Sequence, residues 1–169
     1  VGTLYSLAIH DVDIASYLLG KLPETAYCNL DDVIIDGIDE TATIVLEYGD
    51  ATSVIMESWQ VPVFNKRRDL IIVWTEKSAY IDFIKSNEIE VYESRIKSVD
   101  GEMRAREEGM KLIKVAASEP LRMEVEDFLS ARKSDQTPKA SGEIGLAAVE
   151  LLESLKKSAE TNQVIDIAD

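Results

Sequence analysis

From residue 42 the chain alternates. Ala42, Ile44, Leu46 and Tyr48 are interleaved with Thr43, Val45 and Glu47. A period of two sends the first set to one face of a strand and the second to the other, so the segment predicts a strand with one buried face. Gly49-Asp50 follows as a tight-turn signal, and residues 52–60 alternate again. A link this short joins antiparallel neighbours, because parallel strands need a crossover of about a dozen residues. Residues 69–75 (Asp69 to Thr75) form a near-continuous apolar run, which predicts a central strand covered on both faces. Residues 79–83 and 89–92 continue the meander, and 109–115 predicts a last strand. Pro23 opens a further extended segment over 24–33. The charged, aperiodic stretch 98–108 reads as a solvated loop.

Helices flank this meander. Residues 9–19 predict a short, mostly buried helix with acidic residues in its first turn, where the helix dipole favours them, and Gly20 placed to end it. The apolar residues before it read as a strand. Near the other end Pro120 sits where a first helical turn tolerates a missing N–H, and Leu121, Val125, Phe128, Leu129 and Arg132 share one face. Thr137-Pro138 and Ser141-Gly142 mark a break. Ile144, Ala147, Ala148, Leu151, Leu152, Leu155 and Ala159 then recur at helical spacing, a strong amphipathic pattern. Residues 163–167 predict a short terminal strand. The sum is an α+β fold: one open, largely antiparallel mixed sheet with helices packed on one face, in a single domain over 1–169.

Composition narrows the function classes. Eighteen Lys and Arg stand against 32 Asp and Glu, a net charge of −14. That balance argues against nucleic acid, whose phosphates call for clustered cations. The one cysteine, Cys28, admits no intramolecular disulfide and reads as a small buried hydrophobe. No uncharged run reaches the ~18 residues of a membrane span. A soluble, cytoplasmic protein is expected. Position 1 is Val and leads straight into apolar sequence, which reads as the boundary of a fragment.

Eight glycines include no Gly-x-Gly pair, and no Gly-Lys-Ser/Thr occurs, so neither the dinucleotide fingerprint nor a phosphate loop is present. His10, the sole histidine, stands at the junction of the apolar segment and the first helix. Two readings stay open for it: a buried or capping residue, or a proton donor and acceptor titrating near neutrality. Asp13, three residues on, shares its helix face and could hold the ring or a substrate hydroxyl. One histidine and two carboxylates within a turn make an incomplete metal set. Trp59 and Trp74 read as strand residues in the core or at an interface. Lys66-Arg67-Arg68 reads as a solvated strand entry, and Tyr80 and Tyr92 as candidates for an association surface.

The segment from Gly2-Thr3-Leu4-Tyr5-Ser6-Leu7-Ala8-Ile9-His10-Asp11-Val12-Asp13 to Leu18-Leu19-Gly20 resembles the opening of the C-terminal domain of the glucose–fructose oxidoreductase / inositol dehydrogenase / MocA (Gfo/Idh/MocA) family. The resemblance continues through Asp39-Glu40, Ser58-Trp59, Leu70 to Asp82, Glu119-Pro120-Leu121-Arg122-Met123-Glu124 with Phe128-Leu129, and Gln163-Val164-Ile165. It implies a dihydrodipicolinate-reductase-like C-terminal domain of a two-domain NAD- or NADP-dependent oxidoreductase acting on sugars, cyclitols or related alcohols. In such enzymes an N-terminal Rossmann domain, which this chain lacks, holds the cofactor and supplies a lysine from a Glu-Lys-Pro motif. The open sheet usually forms the interface of a dimer or tetramer. By the same resemblance His10 matches the histidine that assists proton transfer, and Asp13 a substrate-contacting position. Ser6 stands where the family usually has an aspartate and can only hydrogen-bond a substrate hydroxyl. Trp74 stands where a glycine is common. The resemblance implies that this chain alone is inactive; a non-enzymatic binding or assembly module is the alternative.

Overall fold

The computed structural model describes residues 1–61, 66–85 and 87–167, with the backbone alone at residues 85, 94–97 and 105–108. In chain order it contains a π-helical turn Leu4–Ala8, α1 Ile9–Leu19, β1 Thr25–Asp31, β2 Thr41–Glu47, β3 Thr52–Ser58, β4 Asp69–Val73, β5 Ser78–Asp82, β6 Glu88–Val99, β7 Glu102–Lys114, α2 Pro120–Ser134, α3 Gly142–Thr161 and β8 Ile165–Asp166. The fold is α+β, as the periodicities predict, and its strand pairings are antiparallel. The strands fall into two four-stranded sheets, ordered β3-β2-β1-β8 and β4-β5-β6-β7, in place of one. The chain correspondingly divides into two compact units, Val1–Val61 with Asp127–Asp169, and Pro62–Glu126.

The first unit holds the closed core. Leu4, Ala8 and Val12 recur every four residues, and all three are fully buried. They meet the inward set of the first sheet, Ala26 and Cys28 of β1, Ala42, Ile44 and Leu46 of β2 and Ile55 of β3, together with Leu151, Leu152 and Leu155 of α3. Ile44 pairs with Cys28 on one side and Ile55 on the other, so one register fixes the whole inward face. Both helical segments therefore cover the same side of this sheet. Each fully buried leucine contributes about 1.5–3 kcal/mol. Polar groups close the remaining gaps. β8 pairs only with Thr25 and Ala26, and beyond it Ser158 Oγ accepts from Cys28 N at 3.0 Å and donates to Gln163 O at 2.6 Å. That tie explains how a serine is fully buried near the end of α3.

α1 ends where expected: Gly20 takes a left-handed conformation (φ 69°) and its N–H donates to Ser16 O at 2.8 Å. Two expectations for this region are corrected. The residues before α1 are π-helical and run straight into it, because their inward set repeats every four residues and not every two. α1 itself buries only Val12, and Tyr17, Leu18 and Leu19 are exposed.

The second unit departs further from the sequence reading. β4 is an edge strand, not a central one, and its Ile71 and Val73 are 64% and 77% exposed. The stretch 98–108 is not a loop: β6 and β7 form one long hairpin turning at Asp100-Gly101, both with positive φ, as a two-residue hairpin turn requires. The strand expected at 109–115 is the second half of β7. Trp59 and Trp74 lie just outside strands and are half-exposed. Lys66, Arg67 and Arg68 form the exposed strand entry, with Arg67 beside Asp69 at 3.4 Å and the Arg68 guanidinium 5.8 Å from the Phe83 ring centre.

Candidate functional site

The π-helical turn and α1 make one continuous helical rod from Leu4 to Leu19. Leu4, Ala8 and Val12 turn inward, and the positions between them face out. Ser6, His10 and Asp13 stand four and then three residues apart, the spacing of neighbours on one helix face. His10 and Asp13 are exposed and Ser6 is half-buried. The three residues singled out from the sequence are thus brought to one surface. His10 is not a core residue, and the π-helical turn beside it is a local irregularity of the kind found at functional sites.

Asp13 also stands at the wall of a groove of about 630 Å³ between the second half of α1 and the first half of α3. Val12, Ile144, Ala147, Ala148 and Leu151 make it apolar, while Asp13, Ser16, Lys21, Lys139 and Glu143 supply polar groups. The volume lies within the ~300–1,000 Å³ of small-molecule sites. Lys21 is held in place, donating to Tyr48 O at 2.6 Å and Asp50 Oδ1 at 2.7 Å. The Ser141 hydroxyl beside Glu143 keeps that carboxyl below its ordinary range.

Several nearby groups are structural. Tyr5 Oη donates to Glu153 Oε1 at 2.5 Å, tying the rod to α3; burial and then that carboxylate push the phenol up to about 12. Burial, with the Asp39 charge adding to it, pushes the Cys28 thiol up to about 12, so it is no nucleophile at neutral pH. Among the described residues no group of histidine, cysteine and carboxylates could hold a metal ion.

Two of the three described helix starts do not fit a dinucleotide's pyrophosphate. That group needs free N–H groups at a helix N-terminus. The first N–H of the rod, on Leu4, is taken by the Asp39 carboxylate. α3 begins with the Ser141 cap and an acidic first turn. Sequence reasoning missed the roles of Asp39, which acts across 35 and 36 residues, and of Glu40, whose partners lie 5, 6 and 20 residues away. The buried Glu40 carboxylate accepts from Ile34 N at 2.9 Å, Ile35 N at 2.7 Å and Gln60 Nε2 at 3.0 Å, pinning the segment 32–38. A pair of carboxylates before a strand is their only sequence signal.

The model of an oxidoreductase family's C-terminal α/β domain, that of the Gfo/Idh/MocA proteins, matches residues 1–167. The chain belongs to the Gfo/Idh/MocA oxidoreductase family. Solved structures agree in fold. An oxidoreductase domain protein from Kribbella flavida is 17% identical with a TM-score of 0.79, covering 99% of this chain and 50% of its own. UDP-N-acetylglucosamine 3-dehydrogenase from Acidithiobacillus ferrooxidans is 18% identical with a TM-score of 0.76, covering 95% and 48%. The WlbA dehydrogenase from Bordetella pertussis, in complex with NADH and UDP-GlcNAcA, is 18% identical with a TM-score of 0.71, covering 99% and 46%. This Gfo/Idh/MocA chain therefore spans about half the length of the structures it matches. No curated protein matches it by sequence. No helix among the described residues is long and apolar enough to cross a membrane.

Proposed function

We propose that this chain is the substrate-binding and assembly domain of an NAD- or NADP-dependent dehydrogenase acting on a sugar, cyclitol or related alcohol by hydride transfer in the cytoplasm. A separate N-terminal Rossmann domain would hold the cofactor, since these 169 residues carry neither a Gly-x-Gly fingerprint nor a Gly-Lys-Ser/Thr phosphate loop. The observation that carries the reading is the placement of Ser6, His10 and Asp13 on one accessible helix face, with Asp13 opening onto the groove. In this reading His10 takes or returns the proton of the reacting hydroxyl, and Ser6 and Asp13 hold the substrate. The NADH and nucleotide-sugar ligands of the WlbA structure support it by family kinship. Assembly would be a homo-dimer or homo-tetramer through a sheet face. Register puts Ile71, Val73, Tyr92, Met110 and Leu112 on one side of the second sheet, all at least partly exposed. Exposed apolar residues gathered on one sheet face support that reading.

The test is turnover of a panel of sugars and cyclitols with NAD or NADP by the intact protein, before and after His10→Ala. A general acid–base should cost roughly 10²–10⁴-fold. Unchanged turnover in His10→Ala would remove His10 from the chemistry.

One observation favours a second reading, a non-enzymatic module. The Ser6 hydroxyl donates to Gly2 O at 2.9 Å, so the position that usually carries an ionisable group is engaged with the backbone. In that case the intact protein turns over none of the panel, while its mass by native spectrometry remains oligomeric in His10→Ala.

A further inference from the structure

The geometry points to Asp39 as a positioning residue that sets where Ser6 and His10 stand. Thr3, at the start of the rod, has helical backbone angles (φ −60°, ψ −37°) and provides no side-chain cap. Its N–H donates to Asp39 O at 2.8 Å, and its hydroxyl to the same oxygen at 3.1 Å. The cap comes instead from across the fold: Asp39 Oδ2 accepts from Leu4 N at 2.7 Å. A carboxylate there meets both an orphan N–H and the positive end of the helix dipole.

Gly2 closes the same latch. A Cβ on it would stand 1.8 Å from Asp39 Oδ1, so only glycine lets the carboxylate approach. Gly2 O in turn accepts from Ser6 N at 3.2 Å and from Ser6 Oγ at 2.9 Å. His10 follows one turn later on the same face. The order of dependence is therefore Asp39 to Gly2 and Leu4, then Ser6, then His10. Burial of Leu4, Ala8 and Val12 fixes which side of the rod faces in. The Asp39 latch adds where the rod starts.

The significance of this latch for substrate rests on the oxidoreductase reading, but its test does not. His10 is the only histidine of the 169 residues, and a His10→Gln variant identifies its imidazole Cε1–H signal in the intact protein. That signal is compared in wild type, Asp39→Ala and Asp39→Asn, with the melting temperature recorded beside it. Asp39→Ala should displace the signal. Asp39→Asn keeps an oxygen for Leu4 N–H and should return the signal to near the wild-type position. A lowered melting temperature with an unmoved signal in Asp39→Ala would overturn the proposal, leaving Asp39 a purely structural cap. Equal displacement in both variants would also overturn it, because they share only the lost charge. Should Asp39→Ala fail to fold, Asp39→Glu carries the test: charge is kept, the acceptor is shifted by a methylene, and the signal should move. A displaced signal in Asp39→Ala with full turnover in His10→Ala would leave the latch standing and remove the oxidoreductase role of His10. The reverse pair of results would do the opposite.

Discussion

α2 and α3 follow one another in the chain and carry similar apolar stripes, yet they end in opposite environments. Leu151, Leu152 and Leu155 of α3 are 0–2% exposed, whereas Leu121, Phe128 and Leu129 of α2 are 50–77% exposed. The stripe on α3 meets the inward face of a sheet whose side chains alternate in register with it. α2 buries only Ala131, which is not a residue of its own stripe. Amphipathic periodicity therefore states that a face is suited to burial and does not state what buries it. α3 packs on the sheet as expected, while the apolar stripe of α2 stays exposed.

The widest separation between the two helices should appear on truncation at the buried stripe. Leu152→Ala removes a side chain with no exposed surface from a core shared by α3, β1 and the helical rod, and should destabilise the chain by about 2–5 kcal/mol in urea unfolding. A cost below about 1 kcal/mol would mean that α3 is not the helix that closes this core.

Exposure and importance come apart at the segment 32–38, which sharpens the comparison. Val33 and Ile34 are 80% and 72% exposed, but the segment's backbone is held by the Glu40 carboxylate, itself 3% exposed. Glu40→Ala leaves those N–H groups and the Gln60 amide without their acceptor and should cost about 1–3 kcal/mol. Glu40→Gln retains one carbonyl oxygen and should recover part of that loss. Val33→Ala should change stability by less than about 0.5 kcal/mol. Equal losses in Val33→Ala and Glu40→Ala would show the apolar tip, not its anchor, to be what the fold needs.

What could be read from the sequence follows the same division. The β2–β3 hairpin and α3 were legible because their partners lie in this chain and impose a period. Gly20 was legible because a helix end has a local chemistry. β6 and β7 were hidden because Glu102, Arg104, Arg106, Glu107 and Glu108 make the stretch read as charged and mask the alternation of Met103 and Ala105 with their neighbours, although Asp100-Gly101 carried the hairpin signal. β4 was misplaced because an apolar run reports suitability for burial, and its uncovered side is open. At the site, His10 and Asp13 were legible by helical spacing, while Asp39 was not. Its bonds to Thr3 and Leu4 span 36 and 35 residues, and no local pattern encodes them.

A smaller effect separates the helices at their starts. The Ser141 side chain caps α3, accepting from Ile144 N at 3.4 Å, whereas α2 opens on Pro120, whose missing N–H leaves one fewer group for its first turn to satisfy. Ser141→Ala should cost about 1 kcal/mol, measured by the same unfolding experiment. A neutral outcome would mean that Glu143 and solvent satisfy the first turn of α3 unaided.

The smallest effect in this chain is the one that decides what α2 is for. Phe128 is 59% exposed, so Phe128→Ala removes little buried area and should change the stability of the 169-residue chain by no more than about 0.5 kcal/mol. Buried phenylalanines cost about 3–5 kcal/mol on the same substitution. If the Rossmann domain of the proposed enzyme or a second copy of the chain covers the α2 stripe, the same substitution in the intact protein should move toward that larger value. A near-neutral result in the 169 residues with a cost above about 2 kcal/mol in the intact protein would assign the stripe to an interface. Near-neutrality in both would leave α2 amphipathic without a partner and would break the parallel with α3. A large cost in the 169 residues alone would mean that Phe128 is buried in solution, and the contrast between the two helices would then be wrong.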